Sequence, residues 1–184
     1  MKKILSILIA MIIFSGCSQQ KNINKQPNYQ ESKKEKISMK LQSPAFENNK
    51  SIPPKYTCDG DDISPPLLIS EVPKEAKSLV LIVDDPDAPG GDWVHWVIWN
   101  IPPATQKIEE DSTPQGSSEG LTDFRHPGWG GPCPPSGEHR YRFKLYALDS
   151  ELKQDYSYGK KQIQKNMEGH ILDYAELVGL YQRQ

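Results

Sequence analysis

Four stretches of this 184-residue chain carry side chains whose types and spacing suit acid–base or anion-binding chemistry. The run Gly128 to Leu148, GWGGPCPPSGEHRYRFKLYAL, opens with glycine and proline at a density that forbids helix. It closes on an alternation of polar and apolar residues that suits a half-buried strand. On that strand His139 and Tyr141 share a face and Arg140 points the other way, so an imidazole and a phenol stand together as hydrogen-bond partners for a phosphate or carboxylate oxygen. In the loop before it, glycines permit close backbone approach, and the N–H groups of Gly130, Gly131 and Cys133 are expected to form an anion nest. Upstream, Asp84-Asp85-Pro86-Asp87-Ala88-Pro89 sets three carboxylates in a proline frame. Turn carboxylates usually cap their own backbone, but three after an apolar strand put at least one toward a pocket. The fourth candidate is His95, among Trp93, Trp96 and Trp99. Strict alternation groups Trp93, His95, Val97 and Trp99 on one face, and Val94, Trp96 and Ile98 on the other.

Two histidines and a carboxylate also suit a 2-His-1-carboxylate metal site or general acid–base catalysis. No G-x-S-x-G is present, which leaves Cys133 as the best nucleophile candidate. The leading expectation is nonetheless a binding pocket with no catalytic residue, no metal and no cofactor. In it, protonated or suitably oriented His95 and His139, Tyr141 and loop N–H groups contact an anion, and Asp85 orients a histidine.

The elements that must position these groups are strands. Met39–Ser43, Ser78–Asp84, Val94–Ile101 and Arg140–Leu148 read as β, separated by Pro- and Gly-rich turns. SLVLIVDD is continuously apolar before its aspartates, which marks a central strand buried on both faces. From Lys160 the residues Ile163, Met167, His170, Ile171 and Tyr174 recur at helical spacing. Ala175 to Tyr181 either extends that helix or returns as a strand, with Gly179 favouring the second. The expected class is mainly β: two packed antiparallel sheets in a sandwich, with one or two short helices near the C-terminus.

The ends belong to targeting rather than folding. Lys2 and Lys3 precede a short apolar run, Ile4 to Phe14, and then Ser15-Gly16-Cys17, which resembles the lipobox of bacterial lipoproteins. Residues 1–16 read as a signal peptide, and residues 17–38 as a polar tether lipid-anchored at Cys17. Residues 39–184 form one domain, which places it in the cell envelope outside the cytoplasm. That domain holds 15 basic and 22 acidic residues, which argues against nucleic acid as a partner. With Cys17 lipidated, Cys58 and Cys133 remain, either as a disulfide tolerated by an exported protein or as free buried thiols.

DDPDAP, HWVIWNIP and GPCPPSGEHRYRFKLYAL, in this order, resemble the bacterial branch of the phosphatidylethanolamine-binding protein family. KYTCDGDDISPPL and EGHILDYAELVGLY extend the resemblance over nearly all of residues 39–184. It implies a two-sheet antiparallel β fold with a small anion pocket at one end and no accepted turnover. By motif match the ligand-binding positions are Asp85, Asp87, His95, Gly131, Pro132, His139 and Tyr141. The implied ligands are phosphate, phosphorylated headgroups or similar small anions. A regulatory role, or inhibition of an envelope protease or kinase through protein contact, is the alternative. Beyond the anion and the membrane holding the Cys17 lipid, an envelope protein partner and a homodimer are compatible with this reading. Trp129 stands where the branch usually has Tyr, Leu67-Leu68-Ile69 lacks a frequent Trp, and Thr122 replaces a frequent Asn.

Overall fold

The computed structural model describes residues 38–184. The expected signal peptide, the expected lipid site at Cys17 and the expected tether up to residue 37 lie outside the described residues. In chain order the elements are β1 (Lys40–Gln42), β2 (Lys50–Ser51), a 3-10 turn (Pro54–Tyr56), β3 (Leu67–Ser70), β4 (Ser78–Asp85), β5 (Trp93–Ile101), β6 (Lys107–Ile108), β7 (Ser118–Glu119), β8 (His139–Leu148), α1 (Lys160–Met167) and β9 (Ile171–Tyr181). Strands β1-β3-β6 make a small sheet, and β2-β9-β8-β4-β5-β7 a large one. Their pairings are antiparallel except β2 with β9, which run parallel. Among the described residues no helix is long and apolar enough to cross a membrane.

Strand β4 lies between β8 and β5 and is buried along its whole length. Leu79, Leu81 and Val83 enter the layer between the sheets with Phe143, Leu145 and Ile98. Val80 and Ile82 face the other way, under Ile163 and Met167 of α1 and beside Trp99 and Leu152. A buried Val, Leu or Ile side chain contributes about 1.5–3 kcal/mol, so a strand with two apolar faces anchors both layers. Strand β8 alternates as its sequence implies: His139, Tyr141, Phe143, Leu145 and Ala147 are buried.

The C-terminal segment departs from the helical reading at His170, Ile171 and Tyr174. The helix ends at Met167, and Gly169, at φ +80°, reverses the chain. Strand β9 then pairs with β8 from Leu148–Ile171 to His139–Tyr181. Ala175, Leu177 and Tyr181 form its buried stripe, a period of two that wins over the helical match because the long edge of β8 needs a partner. Gly179 has a packing reason: a Cβ there would lie 2.4 Å from the Ile52 side chain.

Cys58 and Cys133 are joined in a disulfide with Cα atoms 5.5 Å apart, which settles the choice between bond and free thiols. Both cysteines are exposed. The bond closes a span of 75 residues, for which loop-closure entropy gives roughly 4 kcal/mol of stabilisation. It fastens the proline-rich loop before β8 to the segment after the 3-10 turn, and the Cys58 N–H donates to the Pro132 carbonyl beside it at 3.1 Å.

Candidate functional site

Because β5, β4 and β8 are antiparallel neighbours, the end of β4 meets the beginnings of β5 and β8 at one pole of the large sheet. A cavity of about 200 Å³ opens there. Asp85, His95, His139 and Tyr141 supply its polar groups. Ala88, Pro89, Trp93, Phe124, Pro134 and Pro135 give it apolar walls, with Cys133 at its side.

His95 reaches this cavity through a β-bulge. Val83 pairs with Trp96 and Asp84 with Val94, so His95 is an extra residue with no partner across β4. The bulge turns His95 and Trp96 to the same face. His95 therefore does not share a face with Val97 and Trp99, as alternation implies; those two pack under α1 with Val94. The loop that follows β7 holds the bulge: Val94 N–H donates to Asp123 Oδ2 at 2.7 Å, and Gly130 N–H donates to the His95 carbonyl at 3.1 Å. The His95 ring lies edge-on to Tyr141 and Phe124, with centroids 5.1 and 5.4 Å away. Its Nδ1–H donates to the Gly130 carbonyl at 2.5 Å. Burial pushes its pKa below the ordinary value; the Gly130 bond and the charges of Asp85, Asp84 and Asp123 pull the other way and are outweighed.

The two adjacent aspartates of β4 divide between the faces of the sheet. Asp84, fully buried, faces α1 and accepts from Arg142 Nε at 2.8 Å, Lys144 Nζ at 2.7 Å and Lys160 Nζ at 2.6 Å. Arg142 and Lys160 also bond Asp92. Burial raises the Asp84 pKa, but the bonds from Lys144 and Lys160 prevail and hold it low. Asp85 faces the cavity. Its Oδ2 accepts from His139 Nδ1 at 2.7 Å and its Oδ1 from the Asp87 N–H at 2.8 Å. Tyr141 is fully buried, and its hydroxyl has no hydrogen-bond partner of acceptable geometry among the described residues. Burial, then the Asp85 charge, raises its pKa.

Of the seven positions expected from the resemblance, Asp85, His95, His139 and Tyr141 line the cavity, and Asp87, Gly131 and Pro132 do not. Asp87 turns outward and grips Arg140 through Nε at 2.9 Å, Nη2 at 2.6 Å and the backbone N–H at 2.9 Å. The Arg140 bonds hold its pKa at about 2. Gly131 donates its N–H to Asp62 Oδ1 at 2.8 Å, and a Cβ there would stand 2.3 Å from that oxygen and 2.8 Å from the Tyr56 carbonyl. Pro132 is engaged through its carbonyl with Cys58. The expected nest of three N–H groups is not free for a ligand: Gly130 and Gly131 donate within the scaffold, and the Cys133 N–H lies against the Tyr141 hydroxyl. Cys133 is no nucleophile either, because its sulfur is bonded to Cys58. The metal-site geometry fails for a similar reason: Asp85 is engaged with His139, and among the described residues no group of three or more His, Cys, Asp or Glu side chains is placed to hold a metal ion. Phe124, which the sequence reading did not single out, packs against both Trp93 and His95. Its signal was Asp123 directly before it, whose bonds to Val94 bring it to the bulge.

Comparison with known proteins agrees with this architecture. A family model described as phosphatidylethanolamine-binding protein matches residues 42–182. A UPF0098 protein of Methanothermobacter thermautotrophicus is 51% identical over 150 residues, covering 79% of this chain and 99% of the relative. A UPF0098 protein of Pyrococcus horikoshii is 50% identical over 158 residues, covering 81% and 79%. The crystal structure of a phosphatidylethanolamine-binding protein homologue from Chlamydia trachomatis superposes with TM-score 0.78 at 43% identity, covering 80% of this chain and 99% of that one. Escherichia coli YbcL, described as a member of the mammalian PEBP family, gives 0.75 at 29% identity with the same coverage.

Two titrations follow from these environments. The unfolded chain protonates His95 as pH falls through about 6.5, whereas the folded chain resists it, so this part of the stability is full above 6.5 and lost below. Asp87 acts in a separate window: its contribution is full above 3.8 and lost as pH falls toward about 2. We expect the urea midpoint of unfolding to drop between about pH 6.5 and 5.5, and to drop less steeply in His95→Gln. Parallel profiles for the two proteins contradict a neutral, buried His95.

Proposed function

The chain belongs to the phosphatidylethanolamine-binding protein family, in its UPF0098 group, and on that premise we propose that it is a non-catalytic binding protein whose cavity takes a small oxyanion, either phosphate or a phosphorylated headgroup. The observation that carries this reading is the Tyr141 hydroxyl. It is buried, lies beside the Asp85 carboxylate and the Cys133 backbone without a hydrogen bond of full geometry among the described residues, and lines the cavity with His95 and His139. A buried hydroxyl without a bond costs about 1–3 kcal/mol, and a ligand oxygen would restore that bond. His139 supports the reading because its Nδ1 is fixed by Asp85, which leaves Nε2 as the ring atom available to a ligand. The apolar walls exclude water and so strengthen each polar contact made on the floor.

We further propose that a lipid on Cys17 tethers this domain to a membrane of the cell envelope. The basic start, short apolar core and Gly16-Cys17 junction support it. An exposed disulfide suits the same oxidising compartment.

Calorimetry with O-phosphorylethanolamine and with inorganic phosphate tests the pocket. Binding by the wild type, weakened about tenfold in Tyr141→Phe, is expected; a tenfold change corresponds to about 1.4 kcal/mol, the scale of one hydrogen bond. Equal affinity in the two proteins would remove the hydroxyl from the ligand site. For the anchor, growth with labelled palmitate should mark the wild-type protein and leave Cys17→Ser unlabelled, whereas label retained in the variant argues against lipid at that cysteine.

A further inference from the structure

The geometry points to a cavity that selects oxyanions bearing a proton: hydrogen phosphate and its monoesters over sulfate and its monoesters, with His95 as the discriminating residue. This inference rests on the oxyanion reading above and adds to it the protonation state of the ligand.

The tautomer of His95 is the starting point. A backbone carbonyl can only accept, so the 2.5 Å contact with Gly130 requires the proton on Nδ1. In the neutral ring Nε2 is then a lone pair, an acceptor that asks the ligand for a proton. Burial opposes protonation of the ring, and the carboxylates around it pull the other way. Asp85 of β4, Asp123 of the following loop, and His139 and Tyr141 of β8 stand around it, with Asp84 behind on the far face of β4. Among the described residues, no lysine or arginine lines the cavity. Arg140 is bound outward to Asp87, and Arg142, Lys144 and Lys160 are bound to Asp84. Burial outweighs the carboxylates and holds His95 below its ordinary pKa.

The donor count leads to the same selectivity. Gly130 and Gly131 point their N–H groups at the His95 carbonyl and Asp62, and the Cys133 N–H lies against the Tyr141 hydroxyl, so the floor offers the Tyr141 O–H; His139, with Nδ1–H bound to Asp85, presents in its neutral form a second Nε2 lone pair. A fully deprotonated oxyanion would face the Tyr141 donor, the Nε2 lone pair of His95 and the Asp85 carboxylate. A ligand with a P–OH group instead donates to Nε2 and accepts from Tyr141; against a sulfate monoester, which is also a monoanion, the difference is this proton rather than the charge. Phosphate monoesters hold such a proton up to their second pKa, about 6. Sulfate monoesters have none at any pH at which proteins are folded. Free phosphate and a phosphorylated headgroup share this chemistry, so the comparison that matters is phosphorus against sulfur.

The test is calorimetric titration of the purified protein at pH 6 with two isosteric esters, O-phosphorylethanolamine and ethanolamine O-sulfate, with inorganic phosphate and inorganic sulfate as headgroup-free arms. The phosphate ester is expected to bind at least tenfold more tightly than the sulfate ester. His95→Gln, whose amide can turn an N–H₂ donor to the ligand, should bring the ratio to within about twofold. Equal affinity of the wild type for both esters overturns the selectivity while leaving the oxyanion pocket standing. Binding of neither ester removes the pocket and the selectivity together. The wild-type ratio decides the matter alone if the variant does not fold.

Discussion

Asp85 is the group on which the pocket depends. It closes a strand buried on both faces, so its carboxylate enters a place where water cannot solvate it. Two bonds compensate: the Asp87 N–H, set by the proline turn, and the His139 imidazole from the neighbouring strand. Removing the imidazole would leave a buried carboxylate oxygen without a partner, at a cost of about 1–3 kcal/mol or more. The turn, the start of β8 and the ring orientation of His139 are therefore coupled through one side chain. The proline-rich loop above them is fastened separately, by the disulfide, by Asp62 and by Gly130.

Asp84, one residue earlier, shows how the same sequence run serves two layers. Its carboxylate takes three cationic partners on the far face and ties the first residue of α1 to the sheet. That arrangement explains why an acidic domain with several cations near its site nonetheless leaves the cavity free of them: the cations are on the other side of β4. On the proposed reading, an anion would be held in this pocket by directed hydrogen bonds and a shared proton, since no lysine or arginine among the described residues lines it.

The parts of this arrangement visible in the sequence are those set by local pattern. The unbroken run Leu79–Val83 marks a central strand because no surface strand can hide five consecutive apolar side chains. The alternation from His139 to Ala147 places His139 with Tyr141 because β8 is regular over that length. Period-two counting places His95 on the wrong face because the bulge is held by bonds to residues 29 and 35 positions away, Asp123 and Gly130, which such counting does not include. The supposed nest failed likewise: Gly131 is engaged by Asp62, 69 residues earlier. Strands β2, β3, β6 and β7 are two to four residues long and too short to show a period. Helical spacing ran past Met167 because His170, Ile171 and Tyr174 repeat it by coincidence beyond the turn at Gly169.

The central claim is that two imidazoles, fixed through Nδ1 by Gly130 and Asp85, offer Nε2 to an oxyanion in one cavity. Nitrogen-15 NMR of the imidazoles tests it most directly, since the exposed His126 and His170 serve as internal controls. The account requires His95 to be the Nδ1–H tautomer, and the Nε2 signals of His95 and His139 to move on addition of O-phosphorylethanolamine while those of His126 and His170 stay. An Nε2–H tautomer at His95, or ligand shifts confined to His126 and His170, would contradict it.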